Sequence, residues 1–483
     1  MFLTRKVHDL LNDFRCRHQA KLARIEGARK LKYRGNFRDC QEDREDRDQT
    51  VAGNRLTSAK VDRGMESASL VPVQQVESLK EFLSFRMPEA LEMLRQMVGI
   101  NSYTGNREGV NRLGHFTAEC FAPLGFSAEF VPSANPDYAQ HLALTRRGRS
   151  GKSIAMVSHL DTVFPPEEEA RNNFHWQAEG DRLYGPGTQD IKGGTVMMWL
   201  VLSALRAQAQ EVFDAITWKL FWNSSEERFS PDFGELCRSR FDRDTLAALV
   251  FEAEGRLGEE HLMVVARKGR GTWRVNVAGR GSHAGGKHNH GANAIVQLAH
   301  TLGRIAALTD YSRELTVNVG SVAGGTVLNR VPHEAVGEGE FRAFTPEVYA
   351  RGKAGLLALA GRGEVRSLAD GYACQVAVEI LDETPAWPRN PVTERLYEFW
   401  RQAGVEVGMP VGSQERGGLS DGNLIWDAVP TLDGLGPWGD NDHCSERSAD
   451  GLKVPEFVEV SSFVPKAVLN TVAILRLCRE VSH

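Results

Sequence analysis

The apolar positions of this chain follow two patterns. The run Ser153-Ile154-Ala155-Met156-Val157-Ser158 is continuous and rich in β-branched and aliphatic side chains, which predicts a buried strand. Residues 217–222 and 247–251 read the same way. From Lys192 to Ala209, Val196, Met197, Leu200, Val201 and Leu205 recur at helical spacing and predict a helix packed on a sheet. Helical spacing also covers 89–98 and 109–121, either side of a loop at 101–106. Buried strands alternating with helices predict an α/β fold: a mostly parallel-stranded sheet with helices on both faces. From about Lys268 the pattern changes. Residues 272–277, 315–319 and 335–341 alternate like half-exposed antiparallel strands, and 292–307 and 346–360 read as helices. That stretch predicts a small α+β insert, after which the α/β pattern resumes near 392–397. The chain therefore divides into an extension at 1–75, a main domain from 76–266 and 384–483, and an insert at 267–383.

Composition narrows the class. With 483 residues, the length prior is about two to four domains. A formal net charge of -5 argues against nucleic acid or an anionic membrane as the main partner. No apolar run reads as long enough for a membrane helix, and the N-terminus lacks the apolar core of a secretory signal. Residues 38–47 are a mixed charge run with nothing to bury, so the extension is expected to be disordered or loosely attached, with Met65 as one candidate true start. The 7 cysteines are scattered, odd in number and without a CxxC pair, which fits free thiols in a reducing compartment and a cytoplasmic location.

The candidate chemistry sits where the buried strands end. In a doubly wound sheet, ligands bind beyond the C-terminal strand ends. His159 and Asp161 close the first strand, and residues i and i+2 of a strand share a face, so a carboxylate can orient an imidazole there. Asp190 sits in the glycine-rich turn Gly185-Pro186-Gly187-Thr188-Gln189-Asp190, where it could bridge two cations or simply cap the following helix. Glu226 and Glu227 follow the second strand, and their use would divide between a general base and a metal ligand. Glu252 follows the third strand, and His443 lies in the late loop Gly439-Asp440-Asn441-Asp442-His443-Cys444. Two histidines and three carboxylates, mostly at strand ends, form a ligand set for a paired divalent site.

In these motifs the chain resembles the M20 metallopeptidases, the family of glutamate carboxypeptidase, acetylornithine deacetylase and aminoacylase. The matching stretches are SHLDTV, GPGTQDIKGG, NSSEER, VFEAE, GRGSHAGGKHNHGANAI and DGLGPWGDNDHCSE, in family order over roughly 80 to 480. The resemblance implies a zinc-exopeptidase-like fold and an insert that serves as a dimerisation or lid domain. It implies that His159 and Glu252 hold one metal ion, Glu227 and His443 the other, and that Asp190 bridges them through a turn with a cis peptide bond after it. Asp161 would orient His159, and Glu226 would be the general base. His283 would reach a partner subunit's site and stabilise the oxyanion, while Asn329 and Arg342 would bind the substrate carboxylate. Two positions depart from the common pattern: Ser225 stands where many relatives have Asp, and Ile191 where many have a second acid.

The implied activity is hydrolysis of a peptide or N-acyl amino acid amide bond next to a free carboxylate. The implied cofactors are two divalent ions per chain, zinc first, with cobalt or manganese as alternatives. The implied partner is a second copy in a homodimer. Two other readings stay open at this point: a deacetylase-like amidohydrolase of a small metabolite, and a non-catalytic metal-binding homologue. Glu226 argues against the last, because a scaffold has no need of a base.

Overall fold

The computed structural model describes residues 73–228 and 230–480. The extension expected over 1–75 falls, but for its last three residues, outside the described residues. The main sheet has six strands, in the order Ser127–Val131, His141–Arg146, Thr217–Asn223, Ser153–His159, Thr245–Val250 and Thr431–Leu432. The last four run parallel, and the first two are antiparallel at one edge, so the sheet is mixed. The alternation of side chains across the pleat gives the sheet two apolar faces. Ile154, Met156, Leu220 and Leu249 face the larger core, shared with helices Val73–Val98, Lys192–Gln208 and Phe463–Glu480. Ala155, Val157, Phe221, Ala248 and Val250 face the smaller one, closed by Phe233, Leu236 and Cys237 of helix Pro231–Arg240. Helices thus cover both faces, as the continuous apolar strands predict.

Two helices correct the sequence reading. The helix expected from residue 89 starts at Val73 and runs through Pro88, because Val76, Leu79 and Leu83 carry its buried stripe back by about four more turns. The C-terminal stretch Val460–Glu480 does reach the length and apolarity of a membrane span, with a mean hydropathy of 1.3, but 72% of that window is buried inside the protein. Its apolar residues fill the main core.

The insert builds a second sheet, entirely antiparallel, in the order Thr316–Gly324, Glu334–Ala343, Gly269–Ala278, Ala373–Thr384 and Gly361–Arg366. Helices Ala294–Ala306 and Pro346–Leu357 cover one face, around Trp273, Leu298, Phe341 and Leu356. The strands alternate buried and half-exposed positions, as their sequence pattern predicts. Thr316–Gly324 is an edge strand, exposed along most of its length.

Parallel order decides where the site lies. His159 pairs in register with Asn223, and Val157 with Val250, so these three parallel strands end together. The loops after them converge on one rim.

Candidate metal centre

The rim gathers the five predicted ligands into two groups that share Asp190. His159, Asp190 and Glu252 form one, Asp190, Glu227 and His443 the other, with candidate ligand atoms within 4.8 Å of one another in each. His159 Nε2 lies 3.0 Å from Asp190 Oδ1 and 3.6 Å from Glu252 Oε1. His443 Nε2 lies 3.4 Å from Asp190 Oδ2 and 3.3 Å from Glu227 Oε2. One carboxylate therefore presents an oxygen to each group.

Local structure fixes each side chain. His159 is buried at the strand end, and its Nδ1 meets the Asp161 main-chain carbonyl at 3.0 Å, with the Asp161 carboxylate at 3.5 Å. That carboxylate is more closely engaged elsewhere. It accepts from the Glu226 amide at 2.9 Å, the Glu227 amide at 3.2 Å and the Thr104 hydroxyl at 2.6 Å. Asp161 thus steers His159 largely through its backbone and pins the turn carrying both glutamates. Asp190 is set by the glycine turn before helix Lys192–Gln208. Gly187 has φ +79, and a Cβ on Gly194 would lie 2.0 Å from the Phe251 carbonyl, so neither tolerates a side chain without rearrangement. The bond between Asp190 and Ile191 is cis, as the resemblance implied. His443 has φ +62, a left-handed conformation uncommon for a residue with a side chain.

The electrostatics are those of crowded carboxylates. Burial, then repulsion from Asp190, pushes Glu227 up to about 7 and contributes to Glu252 at about 8. Hydrogen bonds from His159 and His443 overcome burial and hold Asp190 below the ordinary carboxylate range. Hydrogen bonds to Asp190 and Glu227 lift His443 to about 11. Burial opposes a charge on His159, but Asp161, Asp190 and Glu252 outweigh it and raise its pKa. Carboxylates crowded this closely raise one another's affinity for protons, a repulsion that a divalent pair would relieve. Glu226 stands beside both groups and belongs to neither, and burial raises it well above the usual glutamate value.

A cleft of about 970 Å³ opens over these residues. Its lining includes Asp190, Glu226, Glu227, Glu252 and His443, together with Arg256, Arg267, Arg270, Arg342 and Arg416. Arg342 donates to Glu340 at 2.8 and 3.1 Å and to the Gly417 carbonyl at 3.0 Å, so it joins the insert to the main domain. His283 and Asn329 are not among the cleft's lining residues. They lie together on an exposed loop cluster of the insert, where the Asn329 carbonyl accepts from Ala284 and the His283 ring accepts from the Gly285 and Gly286 amides.

The sequence reading missed several supporting groups. Glu456 accepts from the Gln189 and Asp190 amides at 2.9 and 3.2 Å and fixes the Asp190 turn. Arg267 is buried against Asp433 at 2.7 Å and carries the loop at Gly418 and Leu419. Glu254 forms a buried pair with Lys466 at 2.9 Å. Glu252 and Glu254 share a motif, and only the fold separates the donor from the ion-pair partner. Asp433, one residue past the strand Thr431–Leu432, was open to the same strand-end argument, whereas nothing in the local sequence marks Glu456.

Residues 265–353 match the family model of the M20 peptidase dimerisation domain. Carboxypeptidase G2 of Pseudomonas sp. (strain RS-16) is 26% identical over 380 residues, 78% of this chain and 86% of that protein. Human carnosine dipeptidase 1 superposes with a TM-score of 0.63 at 14% identity, covering 85% of this chain and 100% of that one. The Bacillus subtilis YXEP protein, a dinuclear metal-binding peptidase of the M20 family, superposes with a TM-score of 0.57 at 13% identity, covering 82% and 99%. At such identities the superpositions establish the fold, and the carboxypeptidase alignment carries the kinship in sequence. The chain is thus similar along most of its length to carboxypeptidase G2 and carries a peptidase dimerisation domain at 265–353.

Proposed function

We propose that this protein is a metal-dependent hydrolase that cleaves a peptide or N-acyl amino acid amide bond next to a free carboxylate. The observation that carries the reading is the pair of donor groups sharing Asp190, with Glu226 beside both and part of neither. The nitrogen and oxygen donors suit zinc. His159 and Glu252 would hold one ion, Glu227 and His443 the other, and Asp190 both. When bound, the ions would polarise the scissile carbonyl and lower the pKa of water at the site.

The chain's own residues account for the proton and the orientation. Glu226 takes a proton from the attacking water and delivers it to the leaving nitrogen. Its burial raises its affinity for that proton between the two steps. Asp161 keeps the Glu226 and Glu227 amides in place. Arg342, on the cleft wall, offers its guanidinium to the substrate carboxylate. His283 acts on a partner's site as a donor to the oxyanion, and Asn329, beside it, takes part in binding the substrate carboxylate. Their exposure away from their own cleft supports that assignment, as does the exposed edge strand Thr316–Gly324, which can pair with a second copy in a homodimer. The insert, 267–383, would then be the dimerisation domain and the rest of the described chain the catalytic one. The odd number of scattered cysteines accords with action in the reducing cytoplasm.

A panel of C-terminal dipeptides and N-acyl amino acids tests the activity. At least one free-acid substrate should be hydrolysed, the activity should vanish with chelator, and zinc, cobalt or manganese should restore it. No turnover across the panel in the metal-restored protein would overturn the reading.

The role of His283 in trans has its own test. His283→Ala and Glu226→Gln should each be nearly inactive with metal retained. Mixing the two should recover activity, because a heterodimer contains one site with an intact Glu226 and a partner's intact His283. Mixed samples that exchange subunits and stay inactive would remove His283 from the partner's site.

A further inference from the structure

The turn Asp421–Leu424 touches both crossings of the insert and the loop that carries Glu226. The Asn423 side-chain amide donates to the Lys268 carbonyl at 3.2 Å and the Pro385 carbonyl at 2.9 Å. Lys268 precedes the first strand of the insert, and Pro385 follows its last. A reciprocal cap holds the turn from within: Ser420 Oγ accepts from the Gly422 amide, and Asn423 Oδ1 accepts from the Ser420 amide, both at 3.1 Å.

Asp421 points the other way, into the main domain. Its Oδ1 accepts from Asn223 Nδ2 at 2.7 Å. Asn223 Oδ1 in turn accepts from the Ser225 amide at 3.0 Å and the Ser230 hydroxyl at 3.1 Å. Asn223 closes a strand of the main sheet, and Ser225 immediately precedes Glu226. Asp421, Asn223 and Ser225 are all buried. A primary amide can sit in either of two orientations, and a carboxylate oxygen that accepts admits only the one that turns the NH2 toward it. Reversing the Asn223 amide would set its NH2 against the Ser225 N–H. Asp421 therefore selects the orientation that holds the start of the Glu226 turn, while Asp161 holds the Glu226 and Glu227 amides beyond it.

Stability does not explain this carboxylate. Among the described residues no cation lies within ion-pair distance of Asp421, and a buried carboxylate without one is unfavourable. Burial pushes its carboxyl up to about 7, against the hydrogen bond from Asn223. In either protonation state one oxygen remains free to accept that bond.

We infer that Asp421 is a positioning residue for Glu226, acting through the amide of Asn223. The inference rests on the reading of Glu226 as the general base. Asp421→Ala should lower kcat by about 10–100-fold, the cost of a small misplacement of a catalytic group, with KM and metal content unchanged. Asp421→Asn should recover most of the loss, because its amide oxygen still accepts from Asn223. Asn223→Asp should behave like Asp421→Ala, and the exchange Asn223→Asp with Asp421→Asn should restore kcat by reversing donor and acceptor. The exchange also decides the matter if the alanine variant does not fold.

Glu226→Gln is measured alongside. If it keeps wild-type turnover, the reading of the base has failed. If it is inactive while Asp421→Ala keeps its kcat, or loses efficiency through KM alone, the inference about Asp421 is wrong and the base stands. Equal losses in Asp421→Ala and Asp421→Asn, or an exchange that restores nothing, would also overturn the inference.

Discussion

Replacing Glu226 with glutamine should lower kcat by about 10²–10⁴-fold while leaving the metal content near that of the wild type. The side chain keeps its size and loses its ability to take a proton. Glu226 belongs to neither donor group, so the exchange removes no ligand. Its main-chain amide donates to Asp161, and that bond is untouched. The loss should fall on kcat, since proton transfer is confined to the chemical steps. Steady-state kinetics with elemental analysis of the same sample checks this. A variant that turns over normally with normal metal would place the base elsewhere, and one that is inactive and metal-free would make Glu226 a ligand.

Arg342→Ala should cost about 2–5 kcal/mol in kcat/KM for free-acid substrates, the loss expected when one partner of a buried charge pair is removed. Arg342 lines the cleft and is held by Glu340, two residues away on the same face of its strand, and by the Gly417 carbonyl of the main domain. A guanidinium fixed at that junction is suited to a carboxylate brought into the cleft. Amidated analogues lack the charge. They should be poor substrates of the wild type and scarcely affected by the substitution. The measurement is kcat/KM for a matched acid and amide on both proteins. Equal losses on the two substrates would remove Arg342 from carboxylate binding and weaken the carboxypeptidase-like reading.

How much of this was legible in the sequence follows from where each signal is written. The runs at 153–158, 217–222 and 247–251 are covered on both faces, so burial is recorded in nearly every residue, the half-buried Thr217 and Lys219 excepted, and the strands stand where the pattern puts them. The chemistry that follows each strand is legible for the same reason, since parallel strands bring their ends together. The antiparallel pair Ser127–Val131 and His141–Arg146 was missed. The first is exposed or half-buried, and the second opens on a buried histidine, so neither shows a continuous apolar run. The helix before residue 89 was hidden by Pro88, although its buried stripe continues across it.

The supporting network was hardest to read. Glu456, Asp421 and Lys466 all come from the chain after the insert, and each acquires its partner only when the two segments of the main domain close on each other. Asp161 was identified, but its larger engagement is with the Glu226 and Glu227 amides, which no spacing rule reveals. His283 and Asn329 lie outside their own cleft, so their proposed role depends on a second copy.

The central claim is a pair of divalent ions bridged by one carboxylate, and counting the ions tests it most directly. Protein purified without chelator and saturated with zinc should hold about two ions per chain, the complement of a two-metal hydrolase. Asp190→Ala removes the ligand shared by both donor groups and should empty or severely weaken both positions together. Elemental analysis that finds no metal in the wild type, or an Asp190→Ala variant that keeps its full metal content, would contradict the account.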